Sequence, residues 1–359
     1  MKIAEKTWLD FKVEELFDKI EATKGKTTGQ LVVGDDVPYI AAAKTNNGYS
    51  FMCSAKEHPE WISKGNAIVF VQLGDGAAGL AHYIPMDFIG MSGKTSSGYN
   101  SNMSEYNGIF IAKCLSTNKS IFSHGHSWTG RRLLATKTML PVDVDGNPDY
   151  AFMNEYVGAQ RKVMLGRYKI FACKQLSKLQ YKKIPALSEK AWATVILDDI
   201  FTISSGTRLE TRNKFPGNRP FIGAADNNNG VTGFVSNNNA SNDSNVLGVN
   251  YNGNGMCIGF YHPYECIFSD DVKRFHLKKY GDNPFVLLFF KVIILQQKSK
   301  FGYLYKFNGE RMAKQRLLVP VNDVGEPDYA YMEQYAKNMM LRKYIQYLAF
   351  LDAREREES

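Results

Sequence analysis

The chain has 359 residues, of which 44% are hydrophobic and 13% aromatic. That is enough apolar surface for a core in each of two units of ordinary domain size, and it excludes an intrinsically disordered protein. The formal net charge of +8 and a pI near 9.0 point to a polyanionic partner, because clustered Lys and Arg gain affinity by releasing counterions from phosphates.

Residues 1–10 carry charges throughout and no apolar stretch, so they do not read as a signal peptide. Residues 8–20 read as a strand followed by a short helix, with the division between them open. The loop behind them offers Lys24, Lys26, Thr27 and Thr28, and after Pro38-Tyr39-Ile40 comes Lys44-Thr45-Asn46-Asn47-Gly48. Asn-Gly is turn chemistry, since both residues tolerate left-handed backbone, but a turn can still face a ligand. Ala67-Ile68-Val69-Phe70-Val71 reads as a strand, and Gly74-Asp75-Gly76-Ala77-Ala78-Gly79 as a surface turn. His124 and His126 form an H-x-H with no evident third ligand, which argues against a metal, and Arg131 and Arg132 follow.

From Asn147-Pro148-Asp149 onward a long helix is expected. Proline and an acidic residue suit a helix start, and Phe152, Met153, Tyr156, Val163, Ile170 and Cys173 recur at near-helical spacing. The second half repeats this order. Arg208, Arg212, Asn213 and Lys214 precede Asp226-Asn227-Asn228-Asn229-Gly230, and polar density continues at Asn237-Asn238-Asn239, Lys273-Arg274 and Lys278-Lys279. The apolar run 285–295 reads as a strand, and with Lys291 inside it is too short to cross a bilayer. A second helix follows Glu326-Pro327-Asp328, with Tyr331, Met332, Tyr335, Met339, Ile345 and Leu348 as its stripe.

The repeat is the dominant signal. Residues 141–157, PVDVDGNPDYAFMNEYV, return at 320–336 as PVNDVGEPDYAYMEQYA. Trp128-Thr129-Gly130-Arg131-Arg132 matches Phe307-Asn308-Gly309-Glu310-Arg311, and Lys6-Thr7-Trp8 matches Lys190-Ala191-Trp192. Between these landmarks the copies diverge, with little in common between 91–106 and 270–284. The expected fold is mixed α/β: two globular units in pseudo-twofold tandem, separated by a pair of long antiparallel, coiled-coil-like helices. The alternative is that each helix packs on its own globule.

In this order of duplicated motifs the chain resembles the specificity subunits of type I and type IIB restriction-modification systems. The resemblance rests on the Trp8 and Trp192 openings and on the two Pro-Val-x-x-x-Gly-x-Pro-Asp-Tyr-x-x-Met-x-x-Tyr segments, and it spans essentially the whole chain. It does not separate type I from type IIB. It implies target recognition domains at 1–146 and 186–325 and spacer helices at 147–185 and 326–359. The partners it implies are double-stranded DNA and DNA methyltransferase subunits, with an endonuclease subunit as a further candidate. S-adenosylmethionine would reside in the methyltransferase, with no cofactor or metal in this chain.

Candidate DNA contacts, chosen as donors and cations suited to phosphates and base edges, are Lys24, Lys26, Thr27, Lys44, Asn46, Asn47, Arg131 and Arg132 in the first copy. In the second they are Arg208, Arg212, Lys214, Asn227, Asn228, Lys273, Arg274 and Arg311. No catalytic residue is expected. There is no Asn-Pro-Pro-Tyr-like tetrapeptide, the glycine run at 74–79 lacks nucleotide-loop spacing, and the duplicated Pro-Asp has no (D/E)xK behind it. Five cysteines, Cys53, Cys114, Cys173, Cys257 and Cys266, form no CxxC pair, as expected of reduced thiols in a cytoplasmic protein. A free-standing DNA-binding protein and a glycan-binding protein are the competing readings.

Overall fold

The computed structural model describes residues 3–357 except Asp75, His124, Asn254 and Tyr303. The chain forms two compact units, Met1–Tyr168 and Lys169–Ser359.

In the first unit, β1 (Trp8–Lys12) runs into the single turn α1 (Val13–Leu16) and β2 (Lys19–Ala22). The strand followed by a short helix expected at 8–20 is present, the division falling between Lys12 and Val13, and a further strand begins at Lys19. Then come β3 (Val33–Ile40), β4 (Tyr49–Cys53), β5 (Ile62–Ser63), β6 (Ala67–Val71), β7 (Ala81–Ile84), β8 (Phe88–Gly90) and β9 (Thr95–Tyr99). Next are α2 (Glu105–Leu115), α3 (Gly130–Ala135), β10 (Lys137–Pro141) and the long α4 (Tyr150–Leu176). The strands form one sheet in the order β2-β9-β6-β7, a second in the order β4-β3-β8-β5, and the ribbon β1-β10. Among the described residues of this unit only β3 and β8 pair in parallel. Helix α2 packs on β7, and the core gathers Phe17, Phe70, Leu115 and the fully buried Trp128, whose indole N–H donates to Thr136 Oγ1 at 2.9 Å.

The second unit repeats the frame. It contains β11 (Trp192–Ile196), α5 (Leu197–Ile200), β12 (Phe201–Ser205), β13 (Pro216–Ile222), β14 (Val231–Val235), β15 (Val246–Asn250), β16 (Gly259–His262), β17 (Ile267–Phe268) and β18 (Val272–Leu277). These precede α6 (Pro284–Leu295), α7 (Gly309–Ala313), β19 (Arg316–Pro320) and α8 (Tyr329–Glu357). Its sheets, β12-β18-β15-β16, β14-β13-β17 and β11-β19, follow the first unit's orders, less one edge strand. The dissimilar stretches 91–106 and 270–284 supply the same central strand, β9 and β18. Phe307 takes the buried position of Trp128, and Phe301 that of Phe122.

Two expectations are corrected. The run 285–295 is helix α6, not a strand. Asn283 Oδ1 accepts the Phe285 and Val286 N–H groups, Pro284 opens the first turn, and an apolar run of this length suits a buried helix better than a strand. The stripe on α4 also differs, for Val163, Ile170 and Cys173 are exposed while Ala172 is buried. On α8, Ile345 is exposed and Leu351 is buried.

Within the second unit the last turns of α4 run antiparallel to α8. Lys169 Nζ meets Asp352 at 3.0 Å and Glu355 at 2.9 Å, and the Phe171 ring meets that of Tyr344. Further along, Gln334 Nε2 donates to Gln180 O and Tyr331 OH to Pro185 O, both at 2.9 Å.

The repeated motif is a structural clamp. Asp143 Oδ1 accepts the N–H groups of Asp145 and Asn147, and Asn322 Oδ1 those of Val324 and Glu326, around Gly146 and Gly325 with φ of 82° and 81°. Asp149 Oδ1 caps α4 through Phe152 N–H, and Asp328 Oδ1 caps α8 through Tyr331 N–H, both at 2.9 Å. The other oxygen of each takes a lysine two residues ahead of β1 or β11, Lys6 for Asp149 at 2.5 Å and Lys190 for Asp328 at 2.8 Å. Burial alone would push these carboxyls up, but the lysine and the capped N–H hold both below the ordinary value.

Asp149→Asn or Asp328→Asn keeps a capping acceptor and removes the charge pairing. Each change should cost about 1–3 kcal/mol at pH 7 in urea unfolding. A carboxyl held below its ordinary pKa stabilises the fold above about pH 4. The gap between wild type and variant should therefore close as pH falls through the folded-state value.

Candidate nucleic-acid interface

In the first unit several loops meet near the carboxyl ends of β3 and β8. The Lys24 N–H donates to Ser63 Oγ at 2.9 Å and its carbonyl accepts from Gly90 N at 2.8 Å. Gly25, with φ of 139°, lies so close to Gly90 O that a Cβ would sit 2.0 Å away. The Lys26 carbonyl accepts from Tyr39 OH. The backbone is held while Lys24, Lys26 and Thr27 face solvent.

The β3–β4 turn adjoins the loop at 72–80 through Gly74 and Ala42, and His82 Nε2 lies 3.1 Å from the Ala43 carbonyl. Asn46, Asn47 and Gly48 adopt φ of 51°, 50° and 78°, so the sequence correctly marks a turn, and it displays exposed Lys44, Asn46 and Asn47. The Gln72 carbonyl accepts the Trp128 N–H while its own N–H donates to Lys94 O. The segment bearing Arg131 and Arg132, and the exposed Lys94, which no sequence motif marks, thus join the same loop cluster. Arg131 is exposed, whereas Arg132 spends one guanidinium nitrogen on the Ser127 carbonyl at 2.7 Å.

The second unit repeats the geometry with different chemistry. Asn228 and Asn229 are left-handed at φ of 48° and 53°. Asn228 is exposed and Asn227 half-buried, while Asn229 Nδ2 donates to Tyr264 OH at 3.0 Å. Arg208 and Arg212 are largely exposed but lean on carboxylates, Arg208 toward Asp270 at 4.0 Å and Arg212 on Glu210 at 2.9 Å. Lys214 Nζ sits 4.0 Å over the Phe221 ring.

Three expected contacts are engaged inside the unit. Arg274 is nearly buried, donating to Asp243 Oδ2 at 2.8 Å and to the Ser205 carbonyl at 3.0 Å. Lys273 donates to Ser205 Oγ at 2.6 Å and lies 4.8 Å from the Tyr251 ring, its pKa lowered by burial. Arg311, like its counterpart Arg132, donates to a carbonyl five residues upstream, that of Lys306 at 2.9 Å, and stacks over Tyr305. Each serves the fold first, because the strand and turn register that sequence cannot supply puts a carbonyl, a carboxylate or a hydroxyl in reach. Lys278 lies beside Asp198 at 3.8 Å.

Asn237 to Asn239 form a built loop. Asn237 Oδ1 accepts Phe215 N–H and its amide donates to the Asn213 carbonyl, while Asn239 Oδ1 accepts from Ser241. Behind this loop His276 bridges two carboxylates, Nδ1 to Asp282 at 2.8 Å and Nε2 to Asp243 at 3.0 Å. Donating to both requires both ring nitrogens to be protonated. Burial works against that charge, but the two carboxylates raise the pKa above the ordinary histidine value. A cavity of about 650 Å³ is lined by Asn252, Met256, Lys298, Phe301 and Lys306 among others. The Lys298-Ser299-Lys300 run was the available sequence signal for it.

Nothing among the described residues resembles a catalytic centre. No group of three His, Cys, Asp or Glu side chains converges to hold a metal. His124 lies outside the described residues, and His126 pairs through its backbone with Ser123. Burial pushes the Cys257 and Cys266 thiols up to about 12, which leaves them inert. No helix among the described residues is long and apolar enough to cross a membrane.

Residues 189–346 match the family model for the type I restriction modification DNA specificity domain. The chain is 36% identical over 349 residues to the type II restriction enzyme specificity subunit S.BcgI of Heyndrickxia coagulans, spanning 92% of this chain and 93% of that protein. Among solved structures, it aligns with the type I restriction-modification S subunit of M. genitalium at 14% identity and TM-score 0.45, over 98% of this chain and 94% of that one. It also aligns with the HsdS subunit of Thermoanaerobacter tengcongensis at 12% identity and TM-score 0.31, over 98% and 92% of the two chains.

Arg274→Ala should cost about 3–5 kcal/mol, because it leaves Asp243 partly buried without its main counter-charge. Arg212→Ala should stay within about 0.5 kcal/mol of wild type, its effect confined to DNA affinity; paired denaturation and binding curves test both. His276 stabilises the fold below about pH 6.5, and that contribution is lost as pH rises through its raised folded value. His276→Gln should therefore remove a loss of Tm that wild type shows as pH rises above about 6.5.

Proposed function

The chain belongs to the family of DNA specificity subunits of restriction-modification systems, and from that premise we propose that it reads a bipartite duplex target with one unit per half-site. Members of this family are non-catalytic. They recognise the DNA target and assemble with the methyltransferase subunits that modify it. S-adenosylmethionine would be held by that partner, and an endonuclease subunit would join the same assembly.

The observation that carries the reading is a common strand and helix frame, present twice, bearing loops of different chemistry at matching places. Segments 1–146 and 186–325 would each address one half-site, and 147–185 with 326–359 would set the gap. Two half-sites of unlike sequence require unlike reading loops on a like frame. In the first unit the contacts would come from Lys24, Lys26, Thr27, Lys44, Asn46, Asn47 and Arg131. In the second they would come from Arg208, Arg212, Lys214, Asn227 and Asn228. The surface pairs of Arg208 and Arg212 are each worth about 0–1 kcal/mol, so a phosphate can replace the carboxylate at small cost.

Co-expression with the methyltransferase encoded beside the gene, followed by mapping of methylated adenines in host DNA, tests this. A split motif with a fixed gap, lost on deletion of the chain, is expected. Exchanging residues 1–146 for those of another family member should alter one half of the motif and preserve the other. If both halves change together, the modular reading is wrong. Methylation that does not depend on the chain would leave a free-standing DNA-binding protein in its place.

A further inference from the structure

The chain's excess positive charge is not where the reading loops are. Residues 156–188 contain eight Lys and Arg and no Asp or Glu. The formal net charge of +8 equals the charge of this segment, and the remainder of the chain is balanced. The corresponding end of the duplicate, α8, is mixed in sign, with Asp352 and Glu355 among its basic residues. The asymmetry therefore belongs to the connection and not to the helix type.

In the second unit this segment ends in Lys174, Lys178, Lys182 and Lys183, all exposed. Among the described residues none of the four has a carboxylate partner. The backbone beneath them is fixed. Lys182 N–H donates to Asn338 Oδ1 at 3.3 Å, Asn338 Nδ2 returns a bond to the Lys182 carbonyl at 2.7 Å, and the buried Leu179 anchors the turn. Lysines in the last turn of a helix can be explained by its dipole, and Lys174 is so placed. Lys182 and Lys183 lie beyond that reach.

We propose that this lysine cluster binds the backbone phosphates of the duplex between the two half-sites, independent of sequence. The inference rests on the bipartite reading above and adds a contact that the reading loops do not supply. Phosphates are the better fit than a protein partner, because protein interfaces are depleted in Lys while flexible ammonium groups suit a dense row of phosphates as point charges. A run of one sign, with no Asp or Glu between residues 156 and 188, also suits a polyanion whose own charge is of one sign. DNA in the gap carries no information to be read, and a base-blind contact is what it can use.

The test uses the complex with its methyltransferase and the variant Lys174→Gln/Lys178→Gln/Lys182→Gln/Lys183→Gln. Binding is measured by anisotropy between 50 and 200 mM salt, on a target duplex and on one with both half-sites scrambled. The salt slope should become shallower by about two to four on both duplexes, and affinity near 0.1 M salt should fall about tenfold or more. Methyltransferase co-purification and the methylated motif should not change. An unaltered slope overturns the proposal, and if co-purification is lost as well the cluster is a protein-docking surface. Replacing the gap phosphates with neutral methylphosphonates, with wild-type protein, should reproduce the shallower slope without any change to the fold. If only half-site phosphates matter, the proposal fails. A wild-type complex that shows the slope effect on any duplex but prefers no split motif would sink the bipartite reading and leave this contact standing.

Discussion

Everything in each unit hangs on one aspartate. Asp149, and Asp328 in the repeat, caps the long helix with one oxygen and holds a lysine just ahead of β1 or β11 with the other. That lysine also lies over an aromatic ring one turn into the helix, Phe152 or Tyr331. The two ends of a unit are thereby joined at the helix start, and the ribbons β1-β10 and β11-β19 extend the joint. A charge-assisted bond that is only partly exposed is stronger and better fixed than a surface pair. It explains why the repeated Pro-Asp-Tyr is so well kept between copies without any catalytic duty.

Once the ends are fixed, what lies between can vary. The central strand pairs β9 in one unit and β18 in the other with the same neighbours, although their sequences share little. A strand in a sheet asks mainly for alternation and β-compatible side chains, so register survives sequence change that loops register as new chemistry. The turn at Asn46-Asn47-Gly48 and Asn228-Asn229-Gly230 is the opposite case. Successive left-handed residues are costly for most side chains, so Asn and Gly persist there for the backbone's sake. Residues shared by both copies therefore speak for the frame, and a difference between two half-sites has to be sought beside them, at Lys44 against Asp226 for example.

The duplication, the two long helices and the Asn-Gly turns were legible because each depends on local chemistry or on self-similarity. The helix at 285–295 was not read, although Asn283 and Pro284 announce it, because periodicity is silent in a segment apolar on every side. The stripe of α4 was misplaced in its second half. Near-helical spacing identifies several possible faces, and only a partner selects the one that buries Ala172 and leaves Ile170 exposed. Among the expected contacts, Lys24, Lys44 and Arg131 stand exposed, whereas Arg274, Lys273 and Arg311 find partners within the unit. Sequence reveals that a guanidinium exists. Whether Asp243 or a carbonyl five residues upstream reaches it first is a matter of register.

The acidic residues around the second unit's loops have a consequence for discrimination. Glu210, Asp226, Asp270 and Asp271 stand among the cations that would meet DNA, and they weaken attraction to any phosphate backbone. On the proposed reading, affinity for random duplex would be low at this unit unless a sequence offered hydrogen bonds good enough to displace Arg208 and Arg212 from their own carboxylates. Such internal competition costs little, because exposed pairs contribute little, but it is lost only on the right target and so enters the difference between targets rather than the affinity alone. A chain that has to choose one site among many gains from balanced charge at its readers. On the same reading, its excess charge would best be kept where no base is read, on the segment that joins them.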